Sequence, residues 1–123
     1  MIRRANGRCE YCHLPQPVAA TPFCIDHIIA EKHGGATDAD NLAWACFYCN
    51  TCKGPNLAGL DPITGALTRL FHPRRDPWSE HFEWRATWLS GKTAVGRATI
   101  QVLNINHLEA VALREALQDE GRL

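Results

Sequence analysis

"FCIDHIIAEKHGGATDADNLAWACFYCNTCKG", residues 23–54, carries the pattern on which the fold turns. Its first run, Phe23 to Ile29, is short, apolar and β-branched, which predicts a strand. Asp26 and His27 stand side by side within it, an unusual load for a greasy segment. "KHGGATDAD" then predicts a turn or loop, since adjacent glycines permit positive φ. Asn41 to Ala45 predicts the returning strand, and a short helix starts near Tyr48 and ends near Gly54-Pro55. The order is strand, loop, strand, helix.

Cysteines frame this unit. Cys9 and Cys12 are separated by two residues, as are Cys46 and Cys49. Zinc takes four ligands in a tetrahedron, thiolates suit it, and a two-residue gap lets both sulfurs of a knuckle point at one ion. The long insert between the pairs costs little, because loop-closure entropy grows slowly with length. Two disulfides or buried free thiols are the bland alternative, and a reducing compartment argues against them. A site filled by four thiolates has no open position, so this zinc is expected to be structural. Cys24 and Cys52 read as small core or half-buried residues.

The other polar residues of the stretch are expected to meet. Asp26-His27 ends one strand, Asn41 opens the next segment, and Asn50 begins the helix directly after the second knuckle. Asp26 offers a carboxylate oxygen and Asn50 an amide oxygen, hard donors that suit Mg²⁺ or Mn²⁺. His27 beside such an ion has the chemistry of a general base. A lone histidine is more often a structural one. It is the company of Asp26, Asn41 and Asn50 that favours catalysis.

The series "CEYC … IDHII … GG … NLAWACFYCNTCKG", over about residues 6–54, resembles the HNH endonuclease family. That family shares the ββα-metal, or His-Me, finger, and the closer likeness is to its zinc-stapled branch with two CxxC pairs. The resemblance implies that His27 activates water and that Asp26 and Asn50 bind the catalytic ion. It implies that Asn41 holds the loop and helps orient the histidine, and that Lys53 touches phosphate. Cys9, Cys12, Cys46 and Cys49 take the place of the structural zinc ligands, and the expected products carry a 5′-phosphate and a 3′-hydroxyl. Two positions depart from the common pattern. Asn50 stands where many members carry His, and Ala30 where many carry Pro.

Outside the finger the chain says less. Lys plus Arg and Asp plus Glu both total 13 in 123 residues, so net charge alone gives nucleic-acid binding no support. Basic residues do cluster as Arg3, Arg4, Arg8 and as Arg69, Arg74, Arg75, and Arg74 and Arg75 are candidates for backbone phosphates. No apolar run reaches membrane-spanning length and the N-terminus has no apolar leader region, so a cytoplasmic location is expected. "LDPITGALTRLFHPRRDPW" is rich in turn formers and reads as a surface wrap. "HFEWRATWLSG" alternates with period two, which predicts a strand or small hairpin closing at Ser90-Gly91, with Trp84 and Trp88 in the core. "TAVGRATIQVLNIN" fits a helix or a strand, with helix favoured. "NHLEAVALREALQDEG" predicts a helix capped by Asn106, with Glu109 completing a capping box and Leu108, Val111, Ala112 and Leu117 on one side.

The expected fold is therefore α+β: a small ββα-metal finger stapled by four cysteines, with a C-terminal hairpin and helical extension. Residues 1–54 form the core and 55–123 pack on it within the same domain. The expected activity is hydrolysis of DNA phosphodiester bonds by a one-metal mechanism, with RNA left open as the alternative substrate, acting as a monomer or homodimer. Two further readings stand beside it: a zinc-stapled nucleic-acid-binding module without catalysis, and a zinc-stabilised protein-interaction domain.

Overall fold

The computed structural model describes residues 2–121, with side chains from Arg4 onward. The Arg3 side chain of the N-terminal basic cluster lies outside the described residues.

Strand β1, Cys24–His27, pairs antiparallel with β2, Leu42–Ala45, in a register that sets Cys24 against Ala45 and His27 against Leu42. Successive side chains of a strand point to opposite faces. Asp26 is therefore buried while His27, one residue on, is only half-buried. Helix α1, Phe47–Lys53, follows β2 at once, and the Cys46 sulfur caps it by accepting from the Cys49 N–H. The predicted strand, strand, helix order is the observed one, within two residues at each end.

The loop from Ile28 to Asn41 closes on itself. A side chain at Gly35 would run into the Ile29 carbonyl, so only glycine allows this approach. Asn41 then clips the loop. Its Oδ1 accepts from the Ile29 N–H at 2.9 Å, and its Nδ2 donates to the carbonyls of Ile29 and Ala36 at 2.9 and 2.8 Å.

The segment expected to wrap over the surface instead contains a hairpin, β3 (Ala58–Leu60) with β4 (Leu67–Arg69). Each strand has three residues, too few for a period to declare itself, and the turn formers between them masked the ladder. A short helix α2, Trp78–His81, leads into β5, Phe82–Arg85, which pairs with β6, Trp88–Gly91. The predicted hairpin is present, but it turns at Ala86, whose φ is 56°, and not at Ser90-Gly91, which lie within β6.

Helix α3, Ala94–Val102, resolves the helix-or-strand ambiguity, and Thr93 caps it through the Gly96 N–H. Helix α4, Leu108–Asp119, is capped by His107 rather than Asn106. Asn106 is engaged elsewhere, bonding both the N–H and the carbonyl of Leu89. The predicted apolar face of α4 also needs correction. Leu108 and Ala112 are exposed, and the helix buries Leu117 and Arg114.

Phe71, Phe82, Leu89, Leu103 and Ile105 from the C-terminal part join Tyr11, Phe23, Ala43, Ala45 and the four paired cysteines in one buried cluster. Trp84 and Trp88, expected in this core, are 37 % and 52 % exposed. Trp84 pairs with the buried Leu89 and shares its face, at the edge beside Trp78 and Arg114, while Trp88 pairs with Arg85 on the opposite face; Trp44 and Trp78 pack against the cluster. Among the described residues, no helix is long and apolar enough to cross a membrane.

Candidate metal centre and active site

The sulfurs of Cys9, Cys12, Cys46 and Cys49 all lie within 4.8 Å of one another, and all four residues are buried. The first knuckle lies within the bridge between Arg8 and Pro15 and the second caps α1, so each pair is held by local bonds. The Cys12 and Cys46 sulfurs are 3.8 Å apart. A tetrahedral Zn²⁺ with bonds of about 2.3 Å sets its sulfurs about 3.8 Å apart, so the group fits that ion. The N–H groups of Cys12 and Cys49 point at the Cys9 and Cys46 sulfurs, a pattern that favours thiolate there. Crowding works the other way on the partner cysteines. The Cys46 sulfur pushes the Cys12 thiol well above its usual range, and the Cys12 sulfur does the same to Cys49. A divalent cation is what lets four such sulfurs carry charge together. Cys24 and Cys52 are half-buried and outside the group.

Arg114 borders the same cavity as Cys12, Cys46 and Cys49. It is 4 % exposed and has no carboxylate partner among the described residues. Its guanidinium donates to the carbonyls of Thr87 and Ile105 and to Asn106 Oδ1, and lies 5.3 Å from the Trp84 ring centroid. No local pattern marks this cation as buried, because its partners lie eight to 27 residues away.

At the end of β1, Asp26 is 4 % exposed. Its Oδ2 accepts from the Tyr11 O–H at 2.6 Å, and its Oδ1 from the Lys53 ammonium at 3.3 Å. Burial raises the Asp26 carboxyl above its ordinary value, against the pull of Lys53 and Tyr11. Burial and the neighbouring carboxylate push the Tyr11 phenol up as well. Lys53 also donates to the His27 carbonyl at 3.1 Å and is 1 % exposed. The phosphate contact expected of Lys53 needs an outward ammonium. Here the ammonium is turned inward to Asp26.

His27 keeps a side-chain exposure of 26 %. Its Nε2 is 2.9 Å from Thr37 Oγ1 and 3.6 Å from the exposed Glu31 carboxylate. Thr37 belongs to the loop that Asn41 clips. Asn50, on α1, is half-buried. Tyr11 and Thr37 escaped the sequence reading. Tyr11 lies between Cys9 and Cys12, and its place inside that pair is the one signal the sequence carries.

Of the two arginines assigned to phosphate, Arg74 is not free. It is ion-paired with Glu10, and both side chains are largely covered. Glu10 also accepts from the Trp44 N–H at 2.7 Å, so the pair ties the first knuckle to the 72–76 turn. Arg75 is exposed and makes no ion pair among the described residues.

Residues 9–56 match the model of the family described as HNH endonuclease. This segment is similar to HNH domains. The match covers both cysteine pairs, the Asp26-His27 strand end and α1, and points to nuclease or nucleic-acid-binding function. A relative, the Septu protein PtuB of Bacillus thuringiensis, is 24% identical over 111 residues, which are 89% of this chain and 40% of that protein. The chain thus spans well under half the length of the curated relative it matches. No solved structure matches it significantly.

Proposed function

We propose that this HNH-like segment hydrolyses DNA phosphodiester bonds with His27 as general base. The observation that carries this reading is the state of His27: half-exposed at a strand end, with Nε2 engaged by Thr37. That bond leaves Nδ1 to take a proton from an attacking water. Asn41 contributes by fixing the loop that carries Thr37. Asp26 and Asn50 would hold a divalent ion, Mg²⁺ or Mn²⁺, through oxygen donors. Each Asp26 oxygen keeps a second lone pair beyond the bond it accepts. When bound, the ion supplies charge stabilisation at the phosphate and leaving oxygens. Lys53 and Tyr11 then serve to aim the Asp26 carboxylate. The four-cysteine zinc takes no part in the reaction, and a reducing cytoplasm keeps its thiolates available.

A second reading, a zinc-stapled nucleic-acid-binding module without catalysis, is favoured by one observation. The Asp26 carboxylate is buried and already faces a cation, Lys53. Plasmid cleavage separates the two. Supercoiled DNA is incubated with zinc-loaded wild type and with His27→Ala, with and without Mg²⁺ or Mn²⁺. The nuclease reading expects metal-dependent nicking by wild type and a loss of about 10²–10⁴-fold in the variant, at unchanged zinc content. Binding without cutting in either metal selects the module.

A further inference from the structure

Beside the strand end lies a cavity of about 420 Å³, between the HNH-like segment and the one that follows it. One wall is Ile28 and Ile29, the residues directly after His27, together with Lys53. The other is the β4 end and the 72–76 turn, with His72 and Arg75. The floor is apolar, and Leu57, 40 % exposed, forms part of it. Its volume falls in the range of about 300–1,000 Å³ that small-ligand sites occupy, and it has no room for a paired helix.

The charges around it are not equivalent. Lys53 is committed to Asp26. Arg69 is held by both oxygens of Asp76, at 2.7 and 3.1 Å. Asp76 also accepts from the His72 N–H, so the turn is braced from within. Arg75 alone among these cations has no carboxylate partner in the described residues. Its backbone is fixed by the bond from its N–H to the His72 carbonyl, while its side chain is exposed. His72 is half-buried, and burial lowers its pKa, so it presents a neutral ring at neutral pH. A fixed turn that offers an apolar floor, a flat neutral ring and one unpaired guanidinium matches a nucleoside with its phosphate.

Resting on the nuclease reading, we propose that this cavity is a subsite for one unpaired nucleotide of the strand being cut, its base against Leu57 and His72 and its phosphate at Arg75. The substrate class that follows is nucleic acid with a single-stranded or opened stretch next to the cleaved bond.

Binding is measured by fluorescence anisotropy on the full zinc-loaded chain carrying His27→Ala, so that no cutting intervenes. The probes are a short labelled DNA strand, the RNA strand of the same sequence, and the blunt DNA duplex. The single strands are expected to bind at least about fivefold more tightly than the duplex, the gain of one stacked base. Adding Arg75→Ala should weaken strand binding about tenfold and make the salt slope shallower by about 0.7, the share of one phosphate contact on a single strand. Adding Leu57→Glu in place of Arg75→Ala should weaken it similarly without that origin in one lost cation. Both positions are exposed, and zinc content and Tm verify the fold. Tighter RNA binding would keep the subsite and assign its sugar. Duplex binding as tight as strand binding, or an Arg75→Ala affinity and slope both unchanged, would overturn the proposal. Arg75-dependent strand binding by a wild type that never cuts would sink the nuclease reading and leave the subsite. Efficient cutting that ignores Arg75 would sink the subsite alone.

Discussion

Between Cys9 and Gly54 the two strands have four residues each and the helix seven, and what joins them is mostly side chain: four clustered sulfurs, the Asn41 clip, the Tyr11–Asp26–Lys53 chain. Between Leu57 and Asp119 the elements are also short. There, however, α3 packs on two hairpins, and Phe82, Leu89, Ala98 and Leu103 are each at most 1 % exposed. The second region brings bulky apolar side chains to the shared core. The first has little apolar surface of its own to bury, and small units of that kind rely on staples. The same scarcity leaves the His27 side chain half-exposed beside the buried Asp26, because a strand end held by cross-links need not be covered by packing.

Removing a staple should therefore have the largest effect. Cys46→Ser takes away a zinc ligand and the sulfur that caps α1. In small zinc domains metal binding is worth on the order of 10 kcal/mol of apparent folding free energy. Zinc content should fall towards zero, and amides of β1, β2 and α1 should exchange rapidly with deuterium while those of α3 stay protected. Loss of protection in α3 to the same degree would show one cooperative unit and break the contrast. The converse test is Phe82→Ala, in a side chain that contacts the rings of Phe71 and Trp78 at centroid distances of 5.2 Å. It should cost about 3–5 kcal/mol in urea unfolding yet leave zinc bound. Asn41→Ala comes next, at about 2–3 kcal/mol, because it removes three hydrogen bonds and strands the Ile29 amide and carbonyl. It should also lower cleavage, since the loop carrying Thr37 loosens. Full activity in this variant would separate the clip from the base.

What could be read from the sequence was whatever is decided within a few residues. The knuckles, β1, β2, α1 and the β5–β6 hairpin follow from local spacing and period, and the four-cysteine group follows from two local pairs that need only meet. What escaped depends on partners far along the chain. Asn106 looks like a cap, but Leu89, 17 residues away, takes both ends of its amide, and His107 caps α4 instead. Lys53 and Arg74 look like phosphate ligands until Asp26 and Glu10 claim them across 27 and 64 residues. A long cationic side chain reads the same in sequence whether it faces solvent or a buried carboxylate. Trp84 and Trp88 obey the period of a single strand, but the turn at Ala86 sets them on opposite faces of a two-stranded ribbon.

The smallest expected effect lies at Asp61, and it tests whether the second region also depends on a polar link. Asp61 is covered not by depth but by its own partners: both guanidinium arms of Arg97 at 2.8 Å, the Ile63 N–H and the Thr64 hydroxyl. Arg97 first, then these donors, hold its carboxyl well below the usual carboxylate range. A carboxyl with a lowered folded-state pKa binds protons more readily when unfolded. Its stabilisation is complete above the unfolded value of about 4 and is lost as pH falls towards the folded one. The Tm gap between wild type and Asp61→Asn should thus be widest at neutral pH and narrow below about pH 5. Zinc release in acid lowers both Tm values together, because the cysteines are unchanged, so the gap isolates this carboxylate. A gap that stays constant into acid would mean that Asp61 shapes its turn through geometry alone. The second region would then owe its stability to packing, and the contrast with the cross-linked finger would be sharper still.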